Sequence, residues 1–387
     1  MNVLNQPSLS QKGWTWFSQA LTQHRSFSAY FQPLIQLFTP LWTTDAYRAQ
    51  IVEFRDELAD MYTLVLKPKA GIIDRKWPTF EAGQYIEFMV EKNGARLLRC
   101  FSISSSPAYY ARTGLIELSI RIQQKGRITP WIRQQLELGS LVNISAAQGE
   151  FVLSSALQKS SPSEKLLFIA GGSGVTPFRA MLQQFAYNQH ASNQQAFELD
   201  VHLLYYSRNH QEIVFQQEFE QLQKECPNIT ITFVDSDVEG FVCAEHLRTY
   251  CDDFFQRTTF ICGPSPMIQQ ARKVLADEGI EKERVHFEFF GAAPIEIENN
   301  QQSIVHFQTS EKIVVSEKDK TQTLLEQAEA QGLTPVSGCR IGVCHQCICK
   351  KKSGVVFNTR TQKYSDTSSE EIQLCISVAQ GDVVLDL

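Results

Sequence analysis

Apolar and polar residues alternate along three stretches in the first half of the chain, and this period of two predicts β-strands. The stretches lie at 62–66, 84–90 and 115–122, and glycine-containing turns separate them. Short alternating strands joined by such turns are typical of an antiparallel sheet with one buried face. The pattern therefore predicts an antiparallel β-barrel over residues 46–155.

A second pattern follows a polar, serine-rich stretch and covers residues 164–290. Short apolar runs, which indicate buried strands, alternate here with helical stretches such as 212–224. The runs are 165–170, 201–206, 229–234 and 259–262. This alternation predicts an α/β, doubly wound parallel sheet. A third module is expected over residues 304–387, so that the chain of 387 residues is multidomain.

The extension formed by residues 1–45 is rich in aromatic side chains, most of them between residues 14 and 42. It carries no charge between Arg25 and Asp45, but Pro33, Pro40 and the polar residues of this stretch make a membrane-spanning helix too costly. Apolar residues at helical spacing predict one apolar face. That face either packs on the domain behind it or makes peripheral contact with a membrane or a membrane-bound partner.

The composition of the chain limits the cellular compartments and the classes of partner that we expect. Lys and Arg number 36 against 42 Asp and Glu, and the net charge of −6 argues against a nucleic acid held through its phosphates. The opening residues lack the pattern of a signal peptide, so we expect a cytoplasmic protein. In that reducing compartment, the ten cysteines are expected to serve as metal ligands and thiols rather than disulfides.

Three cysteines at the spacing C-x4-C-x2-C, followed by a distant fourth, are the strongest chemical signal in the sequence. This spacing is typical of a plant-type 2Fe–2S cluster, and Gly338 and Gly342 let the loop turn its amides toward the sulfurs. A zinc site is the alternative, although zinc sites favour two C-x2-C pairs. Cys349 is not counted as a ligand. The predicted ligands are Cys339, Cys344, Cys347 and Cys375.

A second motif, Arg99-Cys-Phe101-Ser102, predicts a flavin site at the end of a barrel strand. The arginine can neutralise phosphate, the aromatic ring can cover the isoalloxazine, and the serine hydroxyl can reach its N5 atom. Further along, Thr129 is expected to be the N-cap and Pro130 the first residue of a helix whose amides bind phosphate. The other predicted flavin-binding residues are Ile103, Ser104, Gly126, Arg127 and Ile128.

A glycine-rich turn between an apolar strand and a helix predicts a nicotinamide-cofactor site, because its amides can approach a pyrophosphate. Its predicted binding residues are Gly171, Gly172, Gly174, Thr176 and Pro177. A second strand-end turn, Cys262-Gly263-Pro264, is expected to line the same site. The strand at 201–206 is followed by Ser207-Arg208. Dinucleotide-binding sheets often carry a carboxylate at this position, which binds the ribose 2′-hydroxyl of the cofactor. These side chains suit a 2′-phosphate, so NADPH is predicted, with NADH as the alternative.

The order of these motifs resembles the ferredoxin–NADP reductase superfamily with a plant-type ferredoxin fused at the C-terminus. Within it, the nearest resemblance is to the electron-transfer partners of bacterial acyl desaturases. The resemblance implies an FAD-binding barrel, an NAD(P)-binding domain and an α+β, β-grasp ferredoxin domain. It is carried by Pro40-Leu-Trp42, Arg99-Cys-Phe-Ser102, the stretch 337–347, and the segments 353–354, 359–361, 373–377 and 381–382.

The same resemblance implies roles for individual residues. Cys262 is implied to lie beside the nicotinamide and Glu288 near the flavin, which makes these two and Ser102 the predicted catalytic residues. The glycine in the segment 148–151 resembles the members that bind FAD more than those that bind FMN.

A hydride carries two electrons and an iron–sulfur cluster accepts one, a mismatch that a flavin resolves. We therefore expect electrons to pass from NADPH through FAD and the cluster to a separate oxygen-activating protein. The eight histidines are scattered and form no HxxxH array, so the chain is expected to be a donor. A membrane-bound fatty-acyl desaturase is the main predicted acceptor. The alternatives are a reductase for a Rieske-type or soluble hydroxylase and, in another class, a redox sensor without turnover.

Overall fold

The structure is a computed structural model that describes residues 46–69, 76–92, 95–123, 128–153, 163–191, 198–290, 303–315, 322–361 and 363–387. The aromatic segment 14–42, with its predicted apolar face, and the predicted flavin residues Gly126 and Arg127 lie outside the described residues. No helix in these described ranges is long and apolar enough to cross a membrane. The described chain forms three sheets, one for each pattern in the sequence.

The first sheet consists of six antiparallel strands. They are β1 (Tyr47–Leu58), β2 (Met61–Pro68), β3 (Tyr85–Lys92), β4 (Ala95–Ser102), β5 (Ile116–Arg121) and β6 (Leu141–Ile144), with helices α1 (Pro107–Thr113) and α2 (Thr129–Gln135). Their order is β4-β3-β6-β1-β2-β5, and just beyond β4 the Ser104 amide donates to the Glu117 carbonyl of β5 over 2.8 Å. This contact brings the two outer strands together and gives the predicted barrel. Every second residue of β3, from Ile86 to Val90, is buried in its core.

The second sheet is parallel, as predicted, with cores on both faces. Its strands are β7 (Ser163–Gly171), β8 (Glu198–Ser207), β9 (Ile229–Asp235), β10 (Thr258–Gly263) and β11 (Val285–Phe289), and its helices are α3 (Thr176–Ala191), α4 (Gln216–Glu225), α5 (Ala244–Tyr250) and α6 (Ser265–Asp277). The order β11-β10-β7-β8-β9 reverses direction between β7 and β10, where such sheets bind ligands. The helix expected from residue 212 begins at Gln216, because a 3-10 turn precedes it.

The third sheet is mixed and packs against one helix, in agreement with the α+β expectation. It contains β12 (Ile304–Phe307), β13 (Lys312–Val315), β14 (Ile348–Asn358), β15 (Lys363–Tyr364), β16 (Glu370–Gln373) and β17 (Ser377–Leu385), with helix α7 (Leu324–Ala330). Strands β12 and β17 are parallel, and the other pairs are antiparallel. A capping box between Thr323 and Glu326 begins α7, whose Leu324, Leu325 and Ala328 are buried on the sheet.

A buried arginine joins the barrel to the parallel sheet. Arg179 of α3 is 6% exposed; its Nη1 donates to Ser104 O (3.1 Å) and Glu117 Oε2 (2.6 Å), and its Nε donates to Glu218 Oε2 (2.8 Å). Glu117 also accepts from Arg55 over 2.7 Å. Burial alone would raise the pKa of Glu117, but the two arginines hold it below its ordinary value. The carboxylate is therefore charged and depends on its partners.

Replacing Arg179 by methionine is expected to destabilise the chain by about 3 kcal/mol, because it leaves Glu117 buried with half of its pairing. The free energy of unfolding from urea titration at pH 7 measures the change. Arg248→Met is the control: that side chain is 63% exposed beside Glu278, and its loss should cost about 1 kcal/mol or less. Equal losses in the two variants would contradict the assignment of Arg179 as the joining residue.

Candidate functional site

A cleft of about 1370 Å³ lies where the three sheets meet. This volume exceeds that of most small-molecule sites, which hold roughly 300 to 1,000 Å³, so the cleft has room for more than one cofactor. Its lining includes Tyr85, Arg99, Phe101, Ser102 and Thr129 from the barrel, Ser173, Thr176 and Glu288 from the parallel sheet, and Cys339, Arg360 and Cys375 from the third module.

The end of the flavin motif faces this cleft. Phe101 lines it and packs edge-on against Phe88, with ring centroids 6.0 Å apart. Ser102 is 6% exposed, and its buried Oγ is without a hydrogen-bond partner within the described ranges. Such an atom is costly unless a ligand pairs with it. Ile103 and Ser104 were predicted to bind the flavin, but their side chains are fully buried in the barrel behind the cleft wall.

Arg99 makes a contact that the motif did not predict. Its Nη1 donates to the carbonyl oxygens of Leu98 and Gly338, each over 2.7 Å. Gly338 directly precedes Cys339, the first predicted cluster ligand. The guanidinium thus bonds the flavin strand to the cysteine loop, rather than serving only to neutralise phosphate as expected.

The second predicted flavin element is a short helix whose first turn differs from the expectation. Helix α2 begins at Thr129, and Ile128, which is buried, occupies the N-cap position without a side-chain hydrogen bond. The prediction of Thr129 as N-cap and Pro130 as first residue is wrong by one position. The reason is that the Thr129 hydroxyl accepts from the Gln123 amide over 2.9 Å. Thr129 still lines the cleft.

The glycine turn runs from Gly171, the last residue of β7, through a 3-10 turn (Gly172–Val175) into α3. A Cβ at Gly174 would lie 2.3 Å from the Cys262 carbonyl oxygen, so the close approach of this turn to β10 requires glycine. Thr176 is 2% exposed and its Oγ1 donates to Ser173 O over 3.0 Å. Because α3 has sixteen residues and begins at the cleft, its free amides give this wall partial positive charge. Pro177 lies in its first turn, where proline is tolerated.

Cys262 and Glu288 are neighbours in register on β10 and β11. Cys262 is 0% exposed and lies behind the cleft wall, and burial raises the pKa of its thiol. Gly263 and Pro264 follow it, and Pro264 is the N-cap of α6. Glu288 lines the cleft; its Oε2 is buried and unpartnered within the described part of the chain, and desolvation raises the pKa of this carboxyl to about 8. Glu288 therefore carries a proton at neutral pH.

The end of β8 carries the residues expected to read a ribose phosphate. Ser207 is buried, and its Oγ donates to Asn209 O over 3.0 Å. Arg208 is 62% exposed and pairs with Glu212 at 2.6 Å, while Glu212 also accepts from Arg121 at 2.8 Å. Arg121 also pairs with Asp60 over 2.8 Å, so two arginines and two carboxylates alternate here, and Arg208 is the exposed end of this network.

Backbone hydrogen bonds connect the four predicted cluster cysteines. The Cys339 amide donates to Cys344 Sγ over 3.2 Å, and the amide of Leu374, which precedes Cys375, donates to Cys347 O over 3.0 Å. Loop amides point at the sulfurs: Cys339 Sγ accepts from Ile341 N over 3.5 Å and from Val343 N and Cys344 N over 3.4 Å. A Cβ at position 338 would lie 2.7 Å from Cys344 Sγ, which explains the glycine there.

This arrangement suits the cluster that the C-x4-C-x2-C spacing predicts. Plant-type 2Fe–2S clusters are held by four cysteine thiolates, and backbone amides stabilise the charge on their sulfurs. The four cysteines and the amides that point at Cys339 Sγ therefore fit a 2Fe–2S cluster.

Family models match all three parts of the chain in order. The oxidoreductase FAD-binding domain matches residues 73–153, the oxidoreductase NAD-binding domain residues 168–273, and the 2Fe-2S iron-sulfur cluster binding domain residues 307–380. The chain is an oxidoreductase of the ferredoxin reductase type. Its cofactors are FAD, a 2Fe–2S cluster and a nicotinamide dinucleotide, as predicted.

Known proteins with the same arrangement align along most of this reductase. An NADPH oxidoreductase of Mycobacterium tuberculosis is 27% identical, over 91% of this chain and 87% of its own. A glycine betaine monooxygenase reductase subunit of Chromohalobacter salexigens is 24% identical, over 92% of this chain and 99% of its own. The crystal structure of phthalate dioxygenase reductase shares the fold, with a TM-score of 0.56 and 21% identity over 88% of this chain and 98% of that one.

Sequence reasoning missed two residues that position this site. Arg179 is one of many arginines on amphipathic helices, and only the packing of α3 against the barrel distinguishes it. Cys100 occupies the variable position of the flavin motif, yet it lines the cleft together with the predicted cluster ligand Cys339. A cysteine inside a flavin motif, in a chain with a separate four-cysteine cluster, was the available signal.

Glu288→Gln is expected to change how stability depends on pH. The carboxyl has a pKa of about 8 in the folded chain, against an ordinary value of 4.5. Its contribution to the free energy of unfolding is therefore complete below about pH 4.5 and is lost as the pH rises through 8. The wild type should therefore lose up to about 1.4 kcal/mol per pH unit relative to the variant between these limits.

Urea unfolding at pH 5, 6, 7 and 8 measures this difference. Glu283→Gln removes an exposed carboxylate just before the same strand and serves as the control. Parallel stability curves for wild type and Glu288→Gln would contradict the buried, protonated state of Glu288.

Proposed function

We propose that this reductase carries electrons from NADPH, through FAD and its 2Fe–2S cluster, to a separate oxygen-activating enzyme. The observation that carries the proposal is the shared cleft, because Ser102 of the flavin motif and the cluster cysteine Cys339 both line it. The bond from Arg99 to Gly338 O keeps the two walls together. When bound, FAD accepts two electrons together and releases them singly, as a one-electron acceptor requires.

The flavin is proposed to lie between the barrel wall and β11. Phe101 packs against its ring system, and the Ser102 Oγ, which lacks a partner among the described residues, donates a hydrogen bond to it. Glu288 faces it as a neutral acid, able to donate its proton at the buried carboxyl. Thr129 lies nearest to the phosphates. Ile103 and Ser104, whose side chains are buried in the barrel core, are proposed to fix the position of the end of β4.

The nicotinamide cofactor is proposed to bind across the switch point of the parallel sheet. The amides at Gly172–Thr176 and the start of α3 hold its pyrophosphate. Arg208, with Ser207 beside it, binds a 2′-phosphate. Glu212 is engaged by two arginines and is not available to a ribose hydroxyl, which favours NADPH over NADH. Cys262 stays the predicted neighbour of the nicotinamide.

Cys339, Cys344, Cys347 and Cys375 would hold the cluster through their thiolates, and the cluster would supply a one-electron acceptor at this end of the cleft. Cys349 is excluded because its thiol donates instead to the carbonyl oxygens of Lys350 (3.8 Å) and Asp386 (3.7 Å).

The acceptor is proposed to be the oxygenase of a multicomponent system. Relatives named as monooxygenase reductase subunits, which align along nearly the whole chain, support this choice. A membrane-bound acyl desaturase stays a prediction that rests on the resemblance of the cysteine-rich tail and on the aromatic segment 14–42. A cytoplasmic location with peripheral membrane contact also stays a prediction. Continuous turnover of NADPH would exclude the redox-sensor alternative.

Cys344→Ser tests the electron route. The variant should keep NADPH-dependent bleaching of the flavin within about twofold, because no flavin-facing group changes, and should lose at least about tenfold in cytochrome c reduction. Stopped-flow absorbance separates the two steps. Cys349→Ser, a non-ligand in the same sheet, should behave as wild type. A Cys344→Ser enzyme that reduces cytochrome c at the wild-type rate would remove the cluster from the route.

Arg208→Ala tests the preference for NADPH. Losing one charge-assisted hydrogen bond to the 2′-phosphate should raise the KM for NADPH about tenfold and leave the KM for NADH unchanged. Steady-state kinetics with both cofactors measure the ratio. Arg248→Ala removes an equally exposed arginine on helix α5, which packs on the same sheet, and should leave the ratio as it is. An unchanged ratio in Arg208→Ala would assign the 2′-phosphate to other residues.

A further inference from the structure

Three arginines surround the cysteine loop, residues 338–347, and they differ in how their charge is balanced. Arg340, within the loop, forms a two-bond ion pair with Glu329. Arg99 and Arg360 reach the loop from outside, and each donates to one of its carbonyl oxygens. Within the described part of the chain, neither of these two lies within ion-pair distance of a carboxylate. Two arginine charges beside the loop are therefore without a charged partner among these residues.

Arg360 is held against this loop by hydrogen bonds of both its side chain and its backbone. Its Nη1 donates to the Gly342 carbonyl oxygen over 2.9 Å, and Gln373 Nε2 donates to the same oxygen over 3.1 Å. The Arg360 amide donates to Asn358 Oδ1 over 3.0 Å, so an asparagine side chain fixes the turn that follows β14. Because Gly342 lies in the middle of the cysteine loop, the guanidinium has a defined place beside the proposed cluster.

A fixed positive charge at this place favours the reduced state of a cluster, which carries one more negative charge than the oxidised state. Arg360 lines the cleft together with Cys339 and Cys375, so its field acts where the cluster is proposed to lie. We propose that Arg360 is a positioning residue: its bond to Gly342 O holds its charge beside the cysteine loop, and this charge raises the reduction potential of the 2Fe–2S cluster. The inference rests on the proposed function only in taking the four cysteines as cluster ligands.

The test is a redox titration of the full-length holoenzyme at low ionic strength, followed by the electron paramagnetic resonance signal of the reduced cluster. Arg360→Gln removes the charge and keeps an amide donor for Gly342 O. At a fixed solution potential it should lower the ratio of reduced to oxidised cluster about fivefold. Arg360→Lys keeps the charge and should restore most of this ratio.

Lys363→Gln is the matched control, because it removes an exposed cation of the same hairpin that does not belong to the described lining of the cleft. Its titration curve should coincide with that of the wild type. A repeat in about 1 M salt, where the Debye length falls to about 3 Å, should shrink the effect of Arg360→Gln to about twofold or less. A distorted cysteine loop would instead give the same effect at both salt concentrations.

Any of four results would overturn the inference: an Arg360→Gln curve equal to wild type, an Arg360→Lys curve that follows it, an equal shift in Lys363→Gln, or a shift that salt does not reduce. If Arg360→Gln fails to retain its cluster, Thr361→Glu decides, because it places a carboxylate beside the guanidinium on the exposed turn. A severalfold lower ratio in that variant supports the role of the charge, and a wild-type ratio contradicts it. A wild-type protein without the signal of a reduced cluster would instead refute the proposed function itself.

Discussion

A buried cation, Arg179, joins the barrel to the parallel sheet behind the cleft. Arg179 is almost without solvent, and it bonds at once to the Ser104 carbonyl, to Glu117 of the barrel and to Glu218 of α4. Its guanidinium also lies over the Phe215 ring, 4.3 Å from the centroid. Because Ser104 is two residues beyond Ser102, the ion pairs that join two sheets also fix the position of the flavin motif. The same bonds of Arg179 therefore stabilise the interface between the two sheets and position the flavin motif.

The cleft changes its electrostatic character along its length, and each part suits a different cofactor group. At the nicotinamide end, the α3 amides supply partial positive charge and Arg208 is exposed beside Glu212, which suits phosphates. Beside the flavin motif, Glu288 is protonated, so no negative charge opposes an electron-rich ring. At the cysteine loop, amides point at sulfur and stabilise thiolates. The gradient follows the proposed direction of electron flow.

Sites formed by residues close together in the chain could be predicted from the sequence. Contacts between distant segments could not be predicted in this way. The C-x4-C-x2-C spacing and the glycine turn predict their sites because the residues that matter are neighbours in the chain. The orientation of Arg99 toward Gly338 spans 239 positions, and no local signal encodes it. Thr129 was misassigned for a similar reason, since its hydroxyl is engaged by the Gln123 amide rather than by its own helix. Packing between sheets decides such cases.

Strand β4 explains how one chain aligns two redox groups without a loop between them. Arg99 bonds the cysteine loop, and the next three residues, Cys100, Phe101 and Ser102, line the cleft. Pairing with β3, which begins at Tyr85 opposite Ser102, fixes the register of β4. A slip of one residue would exchange the faces of all four side chains, and would break the contacts of both the flavin wall and the cluster at once. A β-strand rises about 3.4 Å per residue. Because these contacts lie on one rigid strand, its backbone geometry sets the separation between the flavin wall and the cysteine loop.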